Sequence, residues 1–243
     1  QRKYDRYYED GLRTGPGFPD RVRTVYENAD SWNYEVSGDY QFGLGPGKLK
    51  LIGLRRFSHE PYLQEIVTTP DDGAPATGDR FAQTGDLGET IGRGEYQWKM
   101  FGGDWQLSGE AAFNTLDNVA SIASLDSSGA WIDQPFEGGT GGVSEDRYEG
   151  LLSFGRKLTD KLTVQIVAGA EHSTITQTGA NGLTRSFFRP KGSLTLAWAP
   201  SADFDASLKI RRRVLQLSFY DFLARAFLND GNENQSNNDL RPQ

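Results

Sequence analysis

The chain contains no cysteine. That excludes a disulfide framework, thiol catalysis and cysteine-ligated zinc. Histidine is nearly as scarce: His59 and His172 are the only two. Neither has further ligands at metal spacing, so no metal site and no cofactor is expected. Positive charge is in deficit, with 26 Lys and Arg against 33 Asp and Glu and a formal charge of −7. This argues against nucleic acid as a partner. No apolar run approaches the ~18 residues that a transmembrane helix needs, and mean hydropathy is −0.60. A membrane β-barrel survives this test, because only alternate strand residues of a barrel need be apolar.

What the chain has in quantity is glycine, 29 residues, and aromatics, 12%. The stretch EYQWKMFGGDWQLSGEAAF (95–113) places Tyr96, Trp98 and Met100 before a Gly102-Gly103 turn, and Trp105, Leu107, Gly109, Ala111 and Phe113 after it. Polar residues fill the positions between, so each arm reads as a strand with one greasy and one wet face. The same period of two recurs from Trp32 to Phe42, 147–157, 162–176, 185–198 and 204–214. The expectation is a loop-like segment over 1–31 with one short strand at Arg21–Tyr26, about eight antiparallel strands over 32–219, and a loop over 220–243. Connections at 43–47, 102–104, 158–161 and 199–203 are short, whereas 58–87, 117–145 and 177–184 read as long polar loops.

Phe42, Trp98, Trp105, Phe154, Trp198 and Phe204 lie beside the short turns and on the apolar phase. Aromatic side chains favour the membrane–water interface. Short turns at one end, long loops at the other and interfacial aromatics predict an all-β, antiparallel transmembrane β-barrel, with turns facing the periplasm. A soluble all-β ligand- or carbohydrate-binding module is the alternative, since a soluble antiparallel sheet also alternates.

Two chemistries fail on inspection. GLGPGK (43–48) lacks the phosphate-loop spacing and leads into a strand. The acidic pairs Asp71-Asp72 and Glu145-Asp146 read as solvated loop. No dyad or triad on neighbouring strands is evident, so no enzyme activity is expected. The candidate ligand-binding residues are the loop aromatics Tyr62, Phe81, Trp131 and Phe136, which could stack on a ring, together with Arg211 and Arg213. With Phe204, Ala206, Leu208 and Ile210 facing lipid, Lys209, Arg211 and Arg213 face inward and could grip an anion. Arg212 faces outward, where lipopolysaccharide phosphates lie.

The C-terminal stretch IRRRVLQLSFYDFLARAFLNDGNENQSNNDLRPQ resembles TonB-dependent outer-membrane receptors. Arg211–Arg213 match a basic strand end, Leu217 to Leu223 an apolar stretch, and Asn237 to Gln243 a loop of the N-P-x-L-x-P-E type, with Asn238 in place of Pro and Gln243 in place of Glu. The resemblance implies a barrel of about 22 strands around a plug domain. It also implies location in a Gram-negative outer membrane, partnership with the TonB complex, and import of a scarce nutrient such as a ferric siderophore, cobalamin or a glycan. The chain would then be an interior part of such a receptor.

Overall fold

A computed structural model describes residues 1–17, 19–179, 182–214, 219–222, 225–228 and 232–234. The strands are β1 (Arg2–Arg13), β2 (Arg21–Leu44), β3 (Gly47–Pro70), β4 (Thr77–Met100), β5 (Gly103–Leu125), β6 (Trp131–Gln134), β7 (Gly141–Thr159), β8 (Leu162–Thr178), β9 (Thr184–Ser201) and β10 (Phe204–Arg212). They form one antiparallel meander, β1-β2-β3-β4-β5-β7-β8-β9-β10, with β6 pairing β5. Two short strands, β11 (Arg225–Phe227) and β12 (Asn232–Asn234), pair with each other. A 3-10 turn spans Phe219–Phe222. The sheet is all-β and open: β1 and β10 are its two edges and do not pair with each other.

The period-two segments form the expected strands, but the strands are longer than their alternation. β2, β3 and β4 each run 24 residues, where about 10 suffice to cross a bilayer. Segment 1–31, expected as loop, is strand over nearly all its length, in β1 and the first half of β2. The expected long loops at 58–87 and 117–145 are mostly strand as well, with turns confined to their tips. Of the expected loop 220–243, the described residues include β11 and β12; the N-P-x-L-x-P-E-like motif at 237–243 and Leu217 lie outside the described residues.

The reason these extensions escape a pattern search is a change of phase. In β5 the large apolar side chains are odd-numbered from Trp105 to Phe113, then even-numbered at Leu116 and Ile122. β4 switches between Tyr96 or Trp98 and Leu87 or Phe81, β7 between Leu152 and Val143, β8 between Ile166 and Ile175. Odd and even residues lie on opposite faces of a strand. The sheet therefore has an aromatic face that is apolar in its turn-end half, and an opposite, polar face that turns apolar in its loop-end half. The buried apolar residues Val25, Ile66, Phe81, Leu116, Val143 and Ile175 all belong to this second set.

The two-residue turns, Gly45-Pro46, Phe101-Gly102, Asp160-Lys161 and Ala202-Asp203, share one end of the sheet. Phe101 holds φ 52° and is 78% exposed. A bulky residue in this region is strained where Asn or Gly would not be, so an apolar ring is kept there against local preference.

At the other end, Asp126 organises the β5–β6 turn. Its Oδ1 accepts from the amides of Ser128 and Ala130, both at 2.9 Å, and from Ser128 Oγ at 2.7 Å. The Ser128 hydroxyl, then the Ala130 amide, hold its carboxyl below the usual carboxylate range. Because the folded value is depressed, this support is complete above the ordinary carboxylate pKa of about 3.9 and is lost as pH falls through the depressed value. Amide exchange at Ser128 and Ala130 should accelerate in that acid window; an Asp126→Ala chain should show fast exchange at neutral pH.

Candidate functional site

The aromatic face is bounded by two rows of rings. Near the turns lie Phe42, Tyr96, Trp98, Trp105, Phe154, Trp198 and Phe204, several in contact: Tyr96–Trp98 at 5.3 Å, Trp98–Trp105 at 6.1 Å and Trp105–Phe154 at 4.6 Å between centroids. Toward the loops lie Trp32, Tyr34 and Phe57, mutually packed at 5.3–6.5 Å, then Phe113 against Tyr148 at 6.1 Å, and Phe188. Between the rows this face carries Val36, Leu51, Leu107, Leu152, Ile166, Leu208 and Ile210, all exposed, with glycine and alanine between them. Among the described residues only two ionised side chains fall inside the band, Arg55 and Arg212, both near the loop-end row. Arg55 donates to Thr90 Oγ1 at 2.7 Å.

The rows slant. Following the hydrogen-bonded register from Phe42 through Leu49, Tyr96, Leu107, Leu152 and Ala168 leads to Gly192 on β9. The ring on β9 is Trp198, six residues nearer the turns. The register from Tyr34 leads to Thr184, and the ring is Phe188, four residues nearer the turns. At about 3.3 Å per residue and 4.8 Å per strand, over six strand steps, the strands lean by roughly 25–35° from the normal to the rows. Eight residues separate Trp105 from Phe113 and ten separate Phe188 from Trp198. The band is thus roughly 22–28 Å tall after correction for this lean.

The polar face carries an ion-pair ladder across the strands. Glu95 and Glu110 flank Arg93 at 2.7 and 3.7 Å, and Arg147 reaches Glu110 at 3.1 Å. Arg189 pairs with Glu171 at 2.5 Å and lies 3.9 Å from Glu145; Lys191 bridges Glu171 and Glu149, the latter at 2.5 Å. Glu145, Arg147, Glu171 and Arg189 are buried. Alternation identifies Arg93, Glu95, Glu110 and Glu171 as facing this way, and the same period over 147–157 and 185–198 puts Arg147, Glu149, Arg189 and Lys191 with them; which charges pair is not visible in the sequence, because it depends on the register between strands.

Arg211 and Arg213 lie at the end of this ladder. With Lys209, Arg212, Lys191 and Glu149 they line a cavity of about 460 Å³ at the β9–β10 edge. Arg211 is on the same face as Lys191, opposite Ser193. Lys191 is taken by two carboxylates, but Lys209, Arg211 and Arg213 have no carboxylate partner among the described residues. Three uncompensated cations at alternate positions can accept an anion bearing several oxygen atoms.

The aromatic candidates form a separate group, on the far side of the sheet from β10. Tyr62 lies 6.4 Å and Phe136 6.1 Å from Phe81 between centroids. Phe81 is in a strand, not at a loop tip, and is 3% exposed, packed with Ala120. Burial, then the charge of Glu27, pushes the Tyr62 hydroxyl up to about 12, so it stays a protonated donor. Trp131, on β6, is covered by the Arg80 guanidinium at 4.4 Å. The structure thus joins Tyr62, Phe81 and Phe136 in one packed cluster, sets Trp131 beside Arg80, and leaves Arg211 and Arg213 several strands away. Among the described residues no cluster of metal-ligating side chains is present.

No protein-family model matches the chain, and no curated protein matches it.

Proposed function

We propose that the chain is barrel wall of a TonB-dependent outer-membrane receptor, with the aromatic face against lipid and the polar face lining a wet lumen. The observation that carries this reading is the slanted apolar band. Its height suits the ~25 Å apolar belt of outer-membrane barrels, and its lean approaches their strand tilt of about 35–45°. Aromatic rows at both margins suit the two interfaces. The change of phase supports the same picture: below it the greasy surroundings lie outside the wall, above it water lies outside and apolar side chains pack inward. Phe101 at the turn tip then meets the inner interface, and Arg55 and Arg212 reach the outer one by extending their stems.

The open sheet fits this proposal in one further respect. Beyond Asn33, the β1 side of β2 has no strand partner among the described residues, because β1 pairs only from Trp32 outward. Unpaired amides in hydrocarbon cost several kcal/mol each, so further strands must complete the wall at both β2 and β10. A plug domain would face the ion-pair ladder, and the TonB complex would act on that plug. The nutrient would be an anion, or carry anionic groups, at Lys209, Arg211 and Arg213. Resemblance of the Arg211–Arg213 segment to the receptor family supports the choice among barrel types.

Extraction tests the membrane assignment. The native protein should require detergent for release from cell envelopes and should migrate faster on a gel when unheated than when boiled. Release as a monodisperse protein without detergent would sink it and favour the soluble binding module instead.

A further inference from the structure

A recess lies on the polar face where β3 and β4 pair. Glu60 and Gly85 are cross-strand partners there. A Cβ at Gly85 would collide with the Tyr220 hydroxyl and would touch Leu116 Cδ1 at 3.4 Å. The phenol of Tyr220 fills the space that glycine leaves, and its hydroxyl donates to Glu60 Oε2 at 3.1 Å. Ser58 Oγ donates to the other carboxylate oxygen at 2.7 Å, which holds that acceptor in place. Leu116, Val143 and Ile175 supply the apolar wall, with Phe219 and Tyr220 packed on it. Beside the phenol opens a cavity of about 330 Å³, bordered by Arg56, Glu89, Asn114 and Glu145. That size falls at the lower end of the roughly 300–1,000 Å³ of small-molecule sites.

The recess and its present occupant differ in construction. Glu60, Gly85 and Leu116 stand on three adjacent long strands. Tyr220 stands on one four-residue 3-10 turn. The socket is thus built by long paired strands while its occupant is carried by a short turn, and the occupant displays the chemistry that fits.

We propose that this recess is a binding site for a ligand bearing a phenolic ring, and that Tyr220 is its internal competitor. The ligand ring would enter over Gly85, donate its hydroxyl to Glu60 and extend its remaining groups into the adjoining cavity. The 219–222 turn would be displaced as it did so. The site is independent of the membrane assignment, because it lies in the loop-end half of the sheet, outside the apolar band.

Calorimetric titration of the full chain in detergent with 4-methylphenol tests this. A competitor that occupies the site most of the time lowers apparent affinity by the fraction of sites left open. Tyr220→Ala should therefore bind 4-methylphenol about tenfold or more tightly than the unaltered chain. Toluene, which cannot satisfy Glu60, should bind Tyr220→Ala more weakly than 4-methylphenol does. Adding Gly85→Ala should remove the gain. Partition into micelles is common to all variants and cancels from the ratios. Equal affinity in the unaltered and Tyr220→Ala chains, or toluene binding as well as 4-methylphenol, overturns the proposal. Should Tyr220→Ala not fold, Tyr220→Phe keeps the ring and loses the hydroxyl bond. It should then bind 4-methylphenol several-fold more tightly than the unaltered chain, and unchanged affinity overturns the proposal equally.

Discussion

Glu171→Ala is expected to destabilise the folded chain by about 3–5 kcal/mol, the range for breaking one side of a buried ion pair. Glu171 is 3% exposed and holds two cations, Arg189 and Lys191. Lys191 keeps Glu149 when Glu171 is gone. Among the described residues Arg189 then keeps the Ser173 hydroxyl at 2.6 Å, the Phe187 ring at 5.6 Å and Glu145 at 3.9 Å, so the loss falls mainly on a buried guanidinium without a close counter-ion. The Nε of Arg189 already has no hydrogen-bond partner among the described residues. Replacing both partners, with Glu171→Leu and Arg189→Met, should recover part of the loss: the Glu171–Arg189 charges go together, while Glu145 loses its cation and keeps the Asn114 amide at 3.2 Å. Urea unfolding of the unaltered chain, Glu171→Leu, Arg189→Met and the double variant gives the coupling directly. A Glu171→Ala effect within about 1 kcal/mol would place the pair in the class of water-screened surface bridges, and the ladder would then add little to the stability of the sheet.

The sequence makes the turn-end half of the sheet legible and the loop-end half nearly opaque. Between Trp105 and Phe113 one face is apolar and the other polar, and that contrast is what a period-two search detects. Beyond Phe113, Leu116 moves the apolar side to the opposite face, and the strand reads as if it had ended. In β1 there is no contrast to detect: Tyr4 and Tyr8 on one face and Tyr7 on the other are all exposed. The candidate sites divide in the same way. Arg211 was placeable because alternation along β10 continues into it. Phe81 and Phe136 read as loop aromatics because the strand and cluster that bury them are products of the phase change. The contact between Tyr220 and Glu60 spans 160 residues of sequence, and no local pattern foreshadows it.

Leu51→Arg carries the other large expected effect, about 2–4 kcal/mol for a cation near the bilayer midplane. Leu51 lies near the middle of the band, on the aromatic face opposite Tyr40, and is 48% exposed. On a soluble sheet an exposed Leu→Arg change stays within about 0.5 kcal/mol, so the magnitude separates lipid from water as the neighbour of that face. Ser37→Arg is the matched control: it sits on the adjacent strand at similar depth, on the polar face between Glu35 and Asp39, and should cost little. Depth supplies a second axis. Trp198→Arg, at the margin of the band, should lose only about 0–1 kcal/mol from the charge itself, in addition to the packing lost with Phe204 at 6.0 Å. Reversible folding into lipid vesicles, followed by denaturant titration, measures all three. Equal costs for Leu51→Arg and Ser37→Arg would mean that both faces see the same solvent. The slanted aromatic rows would then need an explanation other than a membrane.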